Sequence, residues 1–143
     1  MKVYLGIDIG SVSTNLVIID QGGEVLQALY LKTQGNPIGI LQEGLQKLAE
    51  NWPDDSICGV GVTGSGRRLA GVLVGADVIK NEITAHAVAA LQVEPAVKTV
   101  LEIGGQDSKI IILRNGIVTD FAMNTVCAAG TGSFLDQQAD RLH

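Results

Sequence analysis

The sequence predicts an α/β protein with a mixed sheet, in which a three-stranded antiparallel meander occurs twice. Three observations predict this fold. Short apolar runs, some alternating and some continuous, end at glycine-containing turns, as β-strands do. Apolar residues at helical spacing lie between the two sets of strands, and the second set repeats the first at a fixed distance along the chain.

The two meanders align without a gap. Strands are predicted at residues 3–9, 14–20 and 22–31 in the first copy, and at residues 99–104, 109–113 and 117–122 in the second. Matched positions are 94 residues apart: Asp8 and Glu102, Gly10 and Gly104, Thr14 and Ser108, Gly22 and Gly116. Any two hairpins resemble each other, but a common offset indicates a duplicated unit. We therefore expect a first lobe over residues 1–95 and the beginning of a second over residues 96–143.

Helices are predicted between and after the meanders. One helix follows Pro37 and ends at Pro53, with an apolar face made of Leu41, Leu45, Leu48 and Trp52. Further helices are predicted over residues 67–74 and 82–92 and from near Ser133, and a short strand over residues 57–62.

Composition narrows the possible functions. Of 143 residues, 46% are hydrophobic but only 3% aromatic, so a packed, aliphatic core is expected. The net charge of −5, with no basic cluster beyond Arg67 and Arg68, argues against a nucleic-acid partner. An early Asp8 and the lack of an apolar run of about 18 residues argue against a signal peptide and a membrane span, so we expect a cytoplasmic protein with no membrane partner.

Two glycine turns have the residue types of a phosphate and magnesium site. The first contains Asp8, Gly10, Ser11, Ser13 and Thr14, and the second Gly104, Gly105, Gln106 and Asp107. Backbone N–H groups and hydroxyls bind phosphate oxygens, and a carboxylate holds Mg²⁺ directly or through water. Each turn alone has an ordinary hairpin turn as its alternative. Together, linked by the repeat, they predict a clamp on a triphosphate.

Other segments have open interpretations. The loop Gly64–Ser65–Gly66–Arg67 predicts a third contact to the nucleotide, in which Arg67 either reaches a phosphate or is solvated. Residues 59–64 match G-x-G-x-x-G, but Gly59 and Gly61 lie within a predicted strand, which argues against a dinucleotide site. Glu82 and His86, one helical turn apart, either orient a water toward a γ-phosphate or form a surface pair.

The two cysteines differ in their surroundings. Cys58 lies in an apolar strand, where a buried, inert thiol is expected. Cys127 lies in a loop of small residues before a helix N-terminus, where a nucleophile, a metal or cluster ligand, and a packed thiol are all open. One cysteine cannot hold a cluster alone, so a ligand role requires cysteines from another chain or from sequence beyond His143.

Five segments together resemble the ATPase activators of 2-hydroxyacyl-CoA dehydratases and the related ATPase subunits of benzoyl-CoA reductases. They are GIDIGS (residues 6–11), TGSGR (63–67), NEITAHA (81–87), IGGQDSK (103–109) and CAAGTGSFLD (127–136). The last two are specific to this group. The first Asp-x-Gly turn is shared by actin-like, sugar-kinase and heat-shock-chaperone ATPases. The resemblance spans nearly the whole chain.

This resemblance implies an actin-like ATPase fold of two ribonuclease-H-like lobes with ATP or ADP and Mg²⁺ in the cleft. It implies that Asp8 and Asp107 organise Mg²⁺ and phosphate, and that Cys127 is one ligand of a four-iron four-sulfur cluster held by a homodimer. In the family, ATP hydrolysis drives a low-potential electron from the cluster into an acyl-CoA dehydratase or reductase partner. The second cluster cysteine and the adenosine-binding segment are expected past residue 143.

The sequence departs from the family pattern at Glu102 and at Thr125–Val126, and the latter resembles the large multidomain activases. We therefore expect this chain to be the N-terminal part of such a protein, and to bind ATP weakly and hydrolyse it poorly by itself. Two other functions stay open. One is a small-molecule kinase of the same fold, such as an amino-sugar kinase, and the other is a catalytically silent nucleotide-binding or interaction module.

Overall fold

The computed structural model describes residues 1–124 and 131–142, and the chain forms two compact units, Met1–Asn81 and Glu82–His143. The division falls ahead of the boundary predicted at residues 95 and 96, because the helix that begins at Glu82 packs against the strands that follow it. In the described part of the chain, no helix is long and apolar enough to cross a membrane.

The first unit contains a mixed sheet flanked by helices. Its elements are β1 (Val3–Ile9), β2 (Ser13–Ile19), β3 (Val25–Lys32), α1 (Pro37–Ala49), a 3₁₀ turn (Asp54–Ser56), β4 (Ile57–Thr63), α2 (Arg67–Val74) and β5 (Val78–Ile79). The strand order is β3-β2-β1-β4-β5. The β1, β2 and β3 strands pair antiparallel, whereas β4 runs parallel to both β1 and β5. The predicted α/β fold with an antiparallel meander is therefore confirmed.

Local signals explain where α1 begins. The Asn36 side chain accepts a hydrogen bond of 3.1 Å from the Gly39 N–H, and Pro37 occupies the first turn, where its missing N–H is not needed. Trp52 was predicted to lie on the apolar face of this helix, but the helix ends at Ala49, before Trp52. Trp52 nevertheless packs against the core, and its indole N–H donates to Gln27 Oε1 at 2.7 Å.

One face of β1 and β2 forms the core of the first unit. Alternate residues of a strand point to the same face, and here these residues are aliphatic. They are Val3, Leu5, Ile7, Ile9, Leu16 and Ile18, each at most 4% exposed. Val62 from the neighbouring strand β4 belongs to the same core, as do Leu41 and Leu48 from α1 and Ala70 from α2. The aliphatic core expected from the composition is thus present.

Cys58 is exposed, which corrects the prediction of a buried thiol. The strand pairing explains the error. Val3 pairs with Ile57 and Tyr4 with Gly59, so Cys58 is the extra residue of a β-bulge. A bulge interrupts the alternation of side chains between the two faces of a strand. Cys58 therefore lies outside the core although its neighbours along β4 are apolar.

The second unit contains the second meander. Its elements are α3 (Glu82–Val93), β6 (Thr99–Ile103), β7 (Ser108–Arg114), β8 (Ile117–Met123) and α4 (Gly132–Leu142). The three strands pair antiparallel in the order β6-β7-β8, and α3 packs against all three. The predicted meander and the helix predicted from near Ser133 are both confirmed.

The internal repeat is confirmed in the pairing of the strands. In the first unit Leu5 pairs with Ile18, and in the second Thr99 pairs with Ile112, so both members of the second pair lie 94 residues further along. The same offset holds for each of the other pairs between β6 and β7. The two hairpins therefore have the same register.

The two copies differ in which face of the hairpin is buried. Ile7 and Ile9 are 2% and 4% exposed, whereas the equivalent Leu101 and Ile103 are 73% and 58% exposed. In the second unit the buried side chains of β7 lie on the opposite face and include Ile111, at 0% exposure. The strand pairing is therefore the same in the two copies, but opposite faces of the hairpin are buried.

Candidate functional site

The first glycine turn joins β1 to β2 and closes with a hydrogen bond of 2.9 Å from the Gly10 N–H to the Ser13 carbonyl oxygen. The Thr33 hydroxyl donates to the Gly10 carbonyl oxygen at 2.9 Å and lies 3.0 Å from the Thr14 hydroxyl. Thr14 is 0% exposed. Its hydroxyl therefore supports the turn from inside the protein, contrary to the expectation that it contacts a phosphate. Thr33 reaches the turn only through the tertiary fold, so the sequence held no signal for it.

Asp8 lies near the end of β1, directly beside Thr63 on the parallel strand β4. The Thr63 hydroxyl oxygen is buried and has no hydrogen-bond partner within residues 1–124 and 131–142. A buried hydroxyl without a protein partner requires a water or a ligand atom. Thr63 belongs to the TGSGR segment but was not predicted as a site residue. Its position beside Asp8 adds it to the candidate site.

The loop after β4 packs against the end of β1. Gly64 has a φ of +95°, and a side chain there would collide with the Ile9 carbonyl oxygen and lie 2.6 Å from Asp8 Oδ1. The Gly66 N–H donates to the Ile9 carbonyl oxygen at 3.0 Å. Arg67 Nη1 donates to the Gly64 carbonyl oxygen at 3.0 Å, so Arg67 closes its own loop. The structure thus brings this loop together with Asp8 and the first turn.

The second glycine turn repeats the geometry of the first. The Gly104 N–H donates to the Asp107 carbonyl oxygen at 2.8 Å, and these two residues lie 94 positions after Gly10 and Ser13. A Cβ on Gly104 would lie 2.9 Å from Asp107 Oδ1 and 3.0 Å from Glu102 Oε1. Both carboxylates therefore pack directly against the backbone of the turn, and a larger residue at position 104 would displace them.

The start of α4 also contacts this turn. The Gly132 N–H donates to the Gly104 carbonyl oxygen at 2.8 Å, and the Ser133 N–H donates to the Gly105 carbonyl oxygen at 3.2 Å. The first N–H groups of a helix have no partner within the helix, so these two bonds satisfy them. The turn is thus held by α4 on its carbonyl side.

Lys109 lies at the centre of three carboxylates in the second unit. Its Nζ is 2.7 Å from Asp107 Oδ1, 2.9 Å from Glu102 Oε2 and 3.5 Å from Glu82 Oε2, while the residue is only 5% exposed. Burial alone would lower the pKa of Lys109, but the hydrogen bonds from Asp107 and Glu102 and the charge of Glu82 outweigh burial and raise it. Lys109 is therefore a fixed positive charge at neutral pH.

The importance of Lys109 could have been predicted from the alternation of residues along β7, although not from the segment IGGQDSK alone. Alternation along β7 places it on the same face as Ile111 and Leu113, which are buried. A lysine on the buried face of a strand needs partners of opposite charge.

Glu82 and His86 do not form the predicted pair. Glu82 is the first residue of α3 and makes an ion pair with Lys109, with 27% of its side chain exposed. His86 Nδ1 is buried and has no hydrogen-bond partner in the described part of the chain. A role for Glu82 in orienting a water stays a prediction, and the structure adds Lys109 as its partner.

A carboxylate lies beside each of the two glycine turns. Across residues 1–124 and 131–142, no three His, Cys, Asp or Glu side chains are arranged to hold a metal ion by themselves. Mg²⁺ is commonly bound through only one or two carboxylates together with phosphate oxygens and waters. Each unit has one carboxylate beside its glycine turn, Asp8 in the first and Asp107 in the second, so the predicted magnesium role of each stays a prediction. Cys127, the predicted cluster ligand, lies outside the described residues.

The chain is similar to known proteins along nearly its whole length. The (R)-2-hydroxyglutaryl-CoA dehydratase activating ATPase of Acidaminococcus fermentans is 38% identical over 99% of this chain and 55% of its own length. The structure of the activator of the 2-hydroxyisocaproyl-CoA dehydratase from Clostridium difficile, with bound ADPNP, is similar at a TM-score of 0.81 and 33% identity, covering 98% of this chain and 52% of that one. The ethanolamine utilization protein EutJ from Carboxydothermus hydrogenoformans shares the fold. Its structure has a TM-score of 0.68 and 17% identity, and covers 98% of this chain and 58% of its own.

These similarities confirm the predicted actin-like ATPase fold. The chain spans about half the length of the curated relatives cited above. The sequence profile of one family covers residues 5–143, which include both glycine turns and the specific segments IGGQDSK and CAAGTGSFLD. The chain therefore belongs to the BadF/BadG/BcrA/BcrD ATPase family.

Proposed function

We propose that this chain is the nucleotide-binding part of an ATP-hydrolysing activator that serves an acyl-CoA dehydratase or reductase. The observation that carries the proposal is the repeated turn. Gly10 and Gly104, at equivalent positions, each close a turn by the same hydrogen bond beside a carboxylate. A relative of the same family binds an ATP analogue, which supports a nucleotide as the ligand.

The glycines of these turns act by allowing close approach. The N–H groups of Gly10, Gly66 and Gly104 already donate to carbonyl oxygens inside the protein. These three N–H groups are directed into the protein. We propose that the hydroxyls of Ser11 and Ser13 and the segment Gly105–Gln106 contact phosphate oxygens. Gly64 and Gly66 let the loop after β4 lie directly against the end of β1, because a side chain at either position would strike Ile9. We propose that this loop, held beside Asp8, also lies beside the phosphates.

Asp8 and Asp107 are proposed to hold Mg²⁺ through oxygen, directly or through water. Bound Mg²⁺ would neutralise charge on the phosphates during hydrolysis. Thr63 is proposed to donate its buried hydroxyl to a water or phosphate oxygen beside Asp8, which would give this hydroxyl the partner it lacks among the described residues.

The nucleotide proposal is tested by replacing each carboxylate. Asp8→Ala and Asp107→Ala are expected to weaken Mg-ATP binding by about 10-fold or more. Each removes a proposed oxygen donor to the metal, and loss of only an outer-shell partner already costs about 10- to 100-fold in metal affinity. Asp55→Ala is the matched control for Asp8→Ala in the first unit, and Asp120→Ala is the matched control for Asp107→Ala in the second. Each control removes an exposed carboxylate. Isothermal titration with Mg-ADPNP gives the dissociation constants. Parent affinity in both Asp8→Ala and Asp107→Ala would remove these residues from the site.

We further propose that Cys127 ligates a four-iron four-sulfur cluster shared between two copies of the protein, from which ATP hydrolysis drives an electron into the partner enzyme. The support is the resemblance of the segment CAAGTGSFLD to the family's cluster-binding segment. The test is anaerobic reconstitution with iron and sulfide of the native protein that contains this chain. Cys127→Ser should lose bound iron and cluster absorbance.

Cys58→Ser is the matched control for Cys127→Ser, because Cys58 is exposed and lies in the first unit. It should keep the iron content of the parent. Unchanged iron content in Cys127→Ser would overturn the cluster proposal and leave the nucleotide proposal standing. Phosphoryl transfer to an added sugar, with no iron bound under anaerobic conditions, would favour the kinase alternative instead.

A further inference from the structure

We propose that Lys109 is the positioning residue of the second glycine turn. Its buried ammonium group fixes the Asp107 carboxylate against the turn and joins it to Glu82 at the start of α3. The inference rests on the proposed function, in which Asp107 binds Mg²⁺ and phosphate.

The first support is the geometry of the ammonium group. Lys109 Nζ donates hydrogen bonds of 2.7 Å to Asp107 Oδ1 and 2.9 Å to Glu102 Oε2, and forms an ion pair at 3.5 Å with Glu82 Oε2. An ammonium group has three N–H donors; two bond to Asp107 and Glu102, and the Glu82 carboxylate lies at ion-pair distance from the same nitrogen. The three carboxylates come from the turn, from β6 and from α3. The Nζ atom of Lys109 therefore connects the second glycine turn, β6 and α3.

The second support is the difference in exposure. The Lys109 side chain is 3% exposed, whereas the Asp107 side chain is 39% exposed. The lysine is thus shielded from solvent while the carboxylate it holds remains accessible to a ligand. Charge-assisted hydrogen bonds are shorter and stronger than those between neutral groups, and a hydrogen bond shielded from water is electrostatically stronger than one in water. A shielded cation holding a half-exposed carboxylate is an arrangement that fixes the orientation of the carboxylate.

The third support is the internal repeat. Lys109 and Asp107 lie 94 residues after Asn15 and Ser13, and Asn15 Nδ2 donates to Ser13 Oγ at 3.2 Å in the first unit. In both copies the side chain two residues after the turn residue therefore donates to it. The first copy uses a neutral amide and a hydroxyl, and the second uses an ammonium and a carboxylate. This side-chain hydrogen bond is therefore common to both turns, and only in the second turn is it formed between charged groups.

The experiment uses the 143-residue chain with Lys109→Met, Lys109→Arg and Lys47→Met. Lys47→Met is the matched control, because Lys47 forms a lysine–glutamate ion pair of 2.6 Å that is exposed on α1. The first measurement is amide hydrogen exchange at Gly104, whose N–H bonds to the Asp107 carbonyl oxygen. The second is the ratio of the ADP dissociation constants without and with Mg²⁺, obtained by NMR titration, which measures weak binding.

Lys109→Met should accelerate exchange at Gly104 and lower the Mg²⁺-dependent ratio by about 10- to 100-fold, the usual effect of losing a residue that orients a metal ligand. Lys109→Arg should keep most of the ratio, and Lys47→Met all of it. A lysine that only balanced buried charge would lower the melting temperature and leave the ratio unchanged. If Lys109→Met does not fold, Lys109→Met with Glu102→Gln removes one of the three negative charges and is measured in the same way.

Asp107→Asn separates this inference from the function on which it rests. Loss of the Mg²⁺-dependent ratio in Asp107→Asn together with a parent ratio in folded Lys109→Met would overturn the role of Lys109 and leave the nucleotide site intact. A parent ratio in Asp107→Asn would overturn the proposed magnesium role of Asp107, and with it the inference about Lys109.

Discussion

Equivalent residues of the two repeats should differ sharply in their effect on stability. Ile7 and Leu101 lie 94 positions apart in matched strands, but Ile7 is 2% exposed and Leu101 is 73% exposed. Truncating a buried isoleucine to alanine costs about 2–5 kcal/mol, because apolar burial is lost and a cavity is left. Truncating an exposed leucine costs about 0.5 kcal/mol or less. The free energy of unfolding of a small protein is about 5–15 kcal/mol, so Ile7→Ala removes a large part of the stability of the first unit.

Two probes separate the units in this experiment. Trp52 is the single tryptophan of the chain and lies in the first unit, so its fluorescence during urea unfolding reports the effect of Ile7→Ala. Amide hydrogen exchange at Ile111, which is buried in the second unit, reports the effect of Leu101→Ala. We expect a large loss for Ile7→Ala and almost none for Leu101→Ala. Similar losses in both variants would refute the difference in burial between the two copies.

Three further changes have expected outcomes. Gly64→Ala should cost about 1–3 kcal/mol in urea unfolding and weaken nucleotide binding, because the φ of +95° is unfavourable for alanine and its methyl group would meet Asp8; parent stability would contradict this. Thr33→Val should cost about 1–3 kcal/mol, because the Gly10 carbonyl oxygen and the Thr14 hydroxyl lose their partner; Thr33→Ser, which keeps the hydroxyl, should restore most of the loss. The pKa of Lys109 is raised above its ordinary value of 10.5, so its contribution to the free energy of unfolding is complete below about pH 10.5 and is lost as pH rises through the folded-state pKa. The difference in that free energy between the parent and Lys109→Met should be constant near neutral pH and shrink in strong alkali, and a steady decline across neutral pH would contradict this.

Patterns along the chain were sufficient to predict most of the fold. Strand alternation, glycine turns and the fixed offset predicted both meanders, and the pairing of β6 with β7 reproduces the register of β1 with β2. The bulge at Cys58 and the end of α1 before Trp52 were not predictable in this way. Both depend on the pairing or packing of residues that are distant in the sequence.

The candidate site was predictable only where its residues adjoin a turn. Asp8 and Asp107 were predicted because each lies beside a glycine turn in a recognisable segment, and their role stays a prediction. Thr33 lies 23 residues from the Gly10 carbonyl oxygen that it supports, and no local pattern connects the two. Thr14 was assigned to the ligand because hydroxyl residues near a glycine turn suggest phosphate contacts, but alternation along β2 turns it into the protein interior. Burial therefore separates residues that support the turn from those that can face a ligand.

The most direct test of nucleotide binding by the two turns is an NMR titration of the isotope-labelled chain with Mg-ADPNP. Saturable shifts of the amide signals are expected at the first turn, at the Gly64–Gly66 loop and at the second turn, residues 104–107. Weak affinity still supports nucleotide binding, provided that the shifts saturate and are reduced in Asp8→Ala and Asp107→Ala. Shifts that do not saturate, or that leave both turns unchanged, would contradict it.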